Sequence, residues 1–217
     1  MLPMQPLLNR LMAIKVSLYG ASGHGKVIAD LLIAANYDVV AFFDDNPSDD
    51  SLLSIPVYHS SQLNKIKTDG TILSVGNNKV RKKLAEKLNE YFLKAIHPAA
   101  VLSPYHQMGE GSVVMAGVIV NPSVKIGQHC IINTGALIEH DCFIDDFVHI
   151  SPGVALAGNV SIGEGTHVGI GASVIQGVKI GKWVTIGAGT VVIKDIPDYA
   201  VVVGTPGKII KYNSKDE

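Results

Sequence analysis

Residues 137–168 read LIEHDCFIDDFVHISPGVALAGNVSIGEGTHV, and every sixth position is aliphatic: Ile138, Ile144, Ile150, Leu156, Ile162 and Val168. The register runs back to Leu102 and Met108 and forward to Val192, sixteen positions with no insertion or deletion. Taking each aliphatic as position i, position i−2 is small or β-branched, as at Ala100, Val118, Ala136, Val154 and Ala172; Cys130 and Cys142 fall on it too. Position i+1 is often glycine (Gly109, Gly127, Gly163, Gly169, Gly181, Gly187), as a tight corner requires. A six-residue unit that turns once builds a triangular coil of three short strands, 18 residues per layer, with i filling the prism and i−2 packed beside it. Layers stack at about 4.8 Å. One layer cannot bury its own core, so stability arises from stacking.

Residues 13–98 have another rhythm. An apolar strand at 14–19 runs into Gly20-Ala21-Ser22-Gly23-His24-Gly25. A helical pattern follows (Val27, Ile28, Leu31, Leu32), then a strand at 39–43 ending in Asp44-Asp45. A further strand at 71–75 leads into Gly76-Asn77-Asn78 and an amphipathic helix to about Tyr91. Such alternation argues for a small parallel α/β sheet of Rossmann-like kind, with its ligand site at the carboxyl ends of the strands. The glycines read G-x-x-G-x-G rather than G-x-G-x-x-G, a weak dinucleotide signal. The units are too few for a two-nucleotide fold, so a mononucleotide or nucleotide-sugar fits better. The division expected is an extension at 1–12, an α/β unit at 13–98 and the coil at 99–217.

With 47% hydrophobic and 17% charged residues the chain has ample material for a core. A net charge of −1 offers no basic field, which argues against nucleic acid. Two cysteines on the inward small position read as reduced core thiols, in keeping with a cytoplasmic protein. No apolar run approaches the roughly 20 residues that span a bilayer.

YGASGHG at 19–25, DD at 44–45, GNN at 76–78, HP at 97–98 and a hexapeptide coil containing IEHD at 138–141 occur together here. Across residues 14–210 this combination resembles one subfamily of hexapeptide-repeat acyltransferases. These are the nucleotide-linked 4-aminosugar N-acetyltransferases of bacillosamine-type pathways, with sialic acid O-acetyltransferases as near relatives. The resemblance implies a left-handed parallel β-helix, a hand contrary to the usual crossover rule. It also implies acetyl-CoA as co-substrate, no metal, and a homotrimer with sites between subunits. The N-terminal unit would hold the nucleotide-sugar, expected to be UDP-linked, and residues 203–208 resemble the strand that closes the coil.

Acetyl transfer to an amine needs a free lone pair, an accessible thioester carbonyl and donors for the developing oxyanion. A base with a pKa near the working pH assists. His140 lies at i+2 of its hexad, away from the inward positions, and Glu139 and Asp141 flank it; either carboxylate is placed to hold its tautomer. The resemblance makes His140 the catalytic base and Asp141 its acid partner; a surface histidine on a solenoid face is the plainer alternative. His149, nine residues on, cannot meet His140 within one prism but can across a trimer interface, where the resemblance sets it near the acetyl group or the sugar. His167, one layer above His149, reads as structural or CoA-adjacent, and Ile170 is expected to contact CoA. Gly158 matches the glycine whose N–H faces the thioester oxygen, or is another corner. Asn133 matches a residue near the sugar, or is an asparagine in a stacked corner.

In the N-terminal unit, the expected substrate contacts are Gly20, Ser22, Gly23, His24, Asp44, Asp45 and Asn77. The Gly23-His24-Gly25 amides open a helix and suit a diphosphate, unless they form a simple turn. Asp44 and Asp45 suit a ribose or base, unless they belong to an ordinary acidic loop. Arg81, Lys82 and Lys83 read as a solvated helix face rather than a phosphate site. The competing functions are sugar O-acetylation, a metal hydrolase like the γ-class carbonic anhydrases, and a non-catalytic assembly protein. The histidine spacings of 11, 9 and 18 lack the close pair such a metal site needs.

Overall fold

The computed structural model describes residues 13–214; the extension expected at 1–12 lies outside them. The α/β unit comprises β1 (Lys15–Tyr19), α1 (Gly23–Ala34), β2 (Asp38–Asp44), β3 (Ser51–Leu52), β4 (Ile55–His59), β5 (Gly70–Leu73) and α2 (Asn78–Lys87). Its sheet order is β3-β4-β2-β1-β5, parallel except for the β3–β4 hairpin. The loops at the carboxyl ends of β1, β2 and β5 therefore share one rim. The amphipathic helix stops at Lys87 rather than near Tyr91: Thr71 donates to the Tyr91 carbonyl and Leu93 to the Thr71 carbonyl, so residues 91–93 run beside β5. The open edge of β5 offers this segment backbone partners that another helical turn would leave unmet.

The coil has three faces. The first carries strands Val101–Leu102, Ile119–Val120, Leu137–Ile138, Ala155–Leu156, Ser173–Val174 and Val191–Val192. The second carries Gln107–Met108, Lys125–Ile126, Phe143–Ile144, Ser161–Ile162 and Lys179–Ile180. The third begins at Ala95–Ile96, inside the segment read as α/β, and climbs through Val113–Val114, Ile131–Ile132, His149–Ile150, His167–Val168 and Thr185–Ile186. Every i residue from Val114 to Val192 is buried, and the small i−2 residues lie between them. Two of the i−2 hydroxyls are satisfied inside the prism: Ser112 donates to the Gly127 carbonyl and accepts from the Cys130 amide, and Thr166 donates to the Gly181 carbonyl and accepts from the Val184 amide.

The corner is not at i+1. Each i+3 residue from Gly111 to Gly189 has positive φ, including Ser123, His129, Asp141, Phe147, Asn159 and Trp183. The i+1 glycines answer a different demand, because a Cβ on Gly109 would lie 2.6 Å from the Gly127 carbonyl carbon of the next layer. The segment expected to close the coil also differs. Two strands, Ala200–Val203 and Lys208–Tyr212, form an antiparallel hairpin, and Gly204–Gly207 is its turn. Gly204 at φ 98° and Pro206, which has no amide hydrogen, cannot prolong a ladder.

Outward residues on the third face decide where the α/β unit sits. Low on the column, Val113 and Ile131 join Val16, Leu18, Ile28 and Leu32 in one buried cluster. Higher up, the same column turns polar at His149, His167 and Thr185. The α/β unit is thus seated by the apolar rungs, with its loop rim level with the histidines.

Candidate active site

His140 projects from the corner that follows the first face, its side chain 62% exposed. Its Nδ1 lies 2.7 Å from Asp141 Oδ2, which leaves Nε2 as the ring nitrogen for a substrate proton. Asp141 is at φ 61°, a conformation that aspartate tolerates better than most residues and that folds its carboxylate back on the preceding ring. Directly above, a Cβ on Gly158 would fall 2.7 Å from His140 Cε1 and 2.8 Å from Nε2, so the ring rests against a residue that must lack a side chain. Glu139 takes no part in holding the ring: Asn121, one layer below, donates to its Oε2 at 2.8 Å.

On the third face His149 and His167 stack at 4.8 Å, 5° from parallel, and the His24 ring lies 6.2 Å from that of His149. Asn133 Nδ2 is 3.2 Å from His149 Nε2, and Ser151 Oγ is 2.8 Å from His167 Nε2. Burial, reinforced by the nearness of His167, Arg81 and His24 and opposed by a backbone hydrogen bond with Gly76, lowers the His149 pKa to about 3. Burial and then Arg81 lower that of His24 to about 4. The histidines expected to bind substrate are therefore neutral at pH 7, able to donate or accept but not to neutralise phosphate.

The loop rim sorts its glycines. Gly20, at φ 115°, has no room for a Cβ, which would meet Val75 and Ser74, and a Cβ on Gly25 would strike the Gly20 carbonyl. Gly23 faces open space, and Ser22, the residue before α1, makes no side-chain cap. Asp44 accepts from the Ala21 and Asn46 amides, and Asp45 from the Tyr19 and Ser60 hydroxyls. Those hydroxyl bonds hold the Asp45 pKa down. Asn77 caps α2, its Oδ1 accepting from the Val80 amide at 3.1 Å. Ile170 is 57% exposed at the corner between the third and first faces.

The structure thus gathers His24, Asn133, His149, His167 and the loop rim on one side of a chain, and sets His140, Asp141 and Gly158 at a different corner. Sequence reasoning missed Asn121, Ser151 and Arg81. Arg81, read as solvated, is 1% exposed; the helix pattern around it gave no sign that α2 lies against the coil. Asn121 was findable, since it stands 18 residues before Glu139. Among the described residues no group of three or more His, Cys, Asp or Glu side chains is arranged to hold a metal ion. No described helix is long and apolar enough to cross a membrane.

Residues 15–88 match the PglD N-terminal domain family, and residues 159–194 the bacterial transferase hexapeptide (six repeats) family. Over 110 residues the chain is 44% identical to UDP-N-acetylbacillosamine N-acetyltransferase of Bacillus subtilis, covering 46% of this chain and 51% of that protein. The chain therefore spans about half the length of this curated relative. A histidine-to-asparagine variant of perosamine N-acetyltransferase from Caulobacter crescentus, solved with CoA and GDP-perosamine, superposes with a TM-score of 0.88 at 39% identity, covering 91% of this chain and 97% of that one. The acetyltransferase domain of PglB from Neisseria gonorrhoeae, solved with acetyl coenzyme A, gives 0.87 at 40% identity, covering 91% and 100%. The coil has the left-handed β-helix of these hexapeptide proteins.

Proposed function

The chain belongs to the hexapeptide-repeat N-acetyltransferases of nucleotide-linked amino sugars, and from that membership we propose that it transfers acetyl from acetyl-CoA to the 4-amino group of a UDP-linked 4-amino-4,6-dideoxy sugar. The single observation that carries this reading is the exposed His140–Asp141 pair, its imidazole resting against Gly158. The amine lone pair attacks the thioester carbonyl, and His140 Nε2 takes the proton the nitrogen sheds. Asp141 stabilises the imidazolium, and collapse of the tetrahedral adduct expels CoA thiolate, which recovers a proton. The Gly158 N–H is the expected oxyanion donor. Uridine follows the Bacillus subtilis relative, whose substrate is UDP-linked. Gly23 and Ser22 would meet the diphosphate at the uncapped start of α1, with Asp44 toward the ribose and Asn77 and Asn133 toward the sugar.

A site assembled this way needs two chains. His140 stands beyond the first face, while His149, His167 and the nucleotide-binding rim stand on the third. The first face carries an exposed apolar column, Val101, Ile119 and Leu137, suited to covering by another copy. A closed threefold arrangement would bring each His140 to the next chain's histidine face, with CoA along Ile170. Dependence on acetyl-CoA supports a cytoplasmic location. Purified protein is expected to release CoA thiol with acetyl-CoA and the UDP-aminosugar, more slowly with GDP- or dTDP-linked forms, and not with free sialic acid. Turnover with sialic acid alone overturns the reading, and a monomer by sedimentation overturns the shared site.

A further inference from the structure

Corner residues of the coil stack in columns. The column between the second and third faces holds His129, Phe147, Gly165 and Trp183, 18 residues apart and all at positive φ. The start of α2 engages all four. Arg81 Nε donates to the His129 carbonyl at 2.8 Å and Nη2 to the Phe147 carbonyl at 2.9 Å. Asn78 Nδ2 donates to the Gly165 carbonyl at 3.0 Å, and the Lys79 ammonium lies 5.9 Å from the Trp183 ring centroid. Arg81 turns its other donors back into its own unit: Nη1 to the carbonyls of Val75 (3.0 Å) and Gly76 (3.3 Å), Nη2 to Asn78 Oδ1 (2.8 Å).

All five guanidinium N–H groups are thus matched by five acceptors, and none of these acceptors is a carboxylate. A buried cation without a counter-charge is a costly way to join two surfaces, since well-packed apolar residues usually do so at least as well. What the rigid planar fork adds is direction. It fixes the loop that follows β5, at Val75 and Gly76, to two consecutive rungs of the coil. The next residues, Asn77 and Asn78, line a cavity of about 190 Å³ with His167, Trp183 and Thr185.

We propose that Arg81, with Asn78, is a positioning residue that sets the β5-end loop, and with it the acceptor sugar, at a fixed height on the histidine face. The proposal rests on the acetyl-transfer reading for its kinetic consequence, though not for its structural one. Misplacement by about 1 Å costs on the order of 10²-fold in rate. Arg81→Lys keeps the charge and loses the fork; Asn78→Asp keeps the shape and loses the donor to Gly165. For both, kcat falls and KM for the nucleotide-sugar rises, lowering kcat/KM roughly 10–100-fold, while KM for acetyl-CoA is unchanged. Guanidinium added to Arg81→Ala restores turnover where ammonium does not. Independently of turnover, amides 75–77 exchange hydrogen faster in Arg81→Lys than in wild type. Wild-type sugar kinetics in both variants, exchange at 75–77 that does not change, or parallel loss of sugar and CoA affinity with a lowered Tm would each overturn the proposal. A wild-type protein inert toward every nucleotide-aminosugar would sink the acetyl-transfer reading, and the exchange measurement would still decide the role of Arg81.

Discussion

At the scale of single residues, the chemistry of His140 is set by neighbours that touch it from the same rung and the next. Asp141 reaches Nδ1 from a backbone at φ 61°, and the ring stands where it does because Gly158 presents no Cβ. Removing the base, His140→Ala, is expected to cost roughly 10²–10⁴-fold in kcat, followed by thiol release with acetyl-CoA in excess. Gly158→Ala should lower kcat with little change in Tm, because the new methyl displaces an exposed imidazole rather than a core group. The two flanking acids are separable. Glu139 is held by Asn121, so Glu139→Gln is expected to be nearly silent, whereas Asp141→Asn keeps the backbone conformation and removes the charge that stabilises the imidazolium. A larger loss of kcat for Glu139→Gln than for Asp141→Asn would move the orienting role to Glu139.

At the scale of the element, the coil is held by one inward aliphatic per six residues, each packed above and below by its own kind. Ile162 is 1% exposed in this column. Ile162→Ala should therefore destabilise by about 2–5 kcal/mol, read as a lowered denaturant midpoint, while an outward change on the same strand, Ser161→Ala, should have little effect. This regularity is why the period was legible: burial demands an apolar residue at the same phase in every unit, so the sequence repeats the demand. The corners were not legible. Their left-handed residues include His129, Phe147 and Trp183, side chains that carry no turn signal, because the ladder on either side fixes the backbone and meets the strain. Glycine composition pointed instead to i+1, where the constraint is the approach of the next layer. The end of α2 escaped for a similar reason, since Tyr91 and Leu93 follow the edge of β5 and nothing local stops the helix pattern at Lys87.

At the scale of the whole molecule, two units share one seam, and its chemistry could not be read from either alone. The residues of each half were visible as motifs, His140 in IEHD and Gly23 in GASGHG. That His24 meets His149, and that Arg81 lies against His129 and Phe147, depends on how the α/β unit is seated on Val113 and Ile131, a long-range packing with no local sequence period. The seam also makes stability depend on pH. Burial and then Arg81 lower the pKa of both His24 and His129 to about 4, with Asp146 opposing the shift at His129, and His149 falls to about 3. In the unfolded chain these imidazoles titrate near 6.5, so between pH 6.5 and about 4 the unfolded state binds more protons than the folded one. Stability should therefore be fully present above pH 6.5 and decline as pH falls through that window. His129 packs face to face on Phe147 and edge-on to Phe92, so a neutral aromatic there preserves the packing and cannot be protonated. His129→Phe is expected to flatten the fall in Tm between pH 6.5 and 4.5 relative to wild type while leaving the Tm at pH 8 nearly unchanged. An equally steep acid decline in that variant would show that His129 contributes none of the coupling.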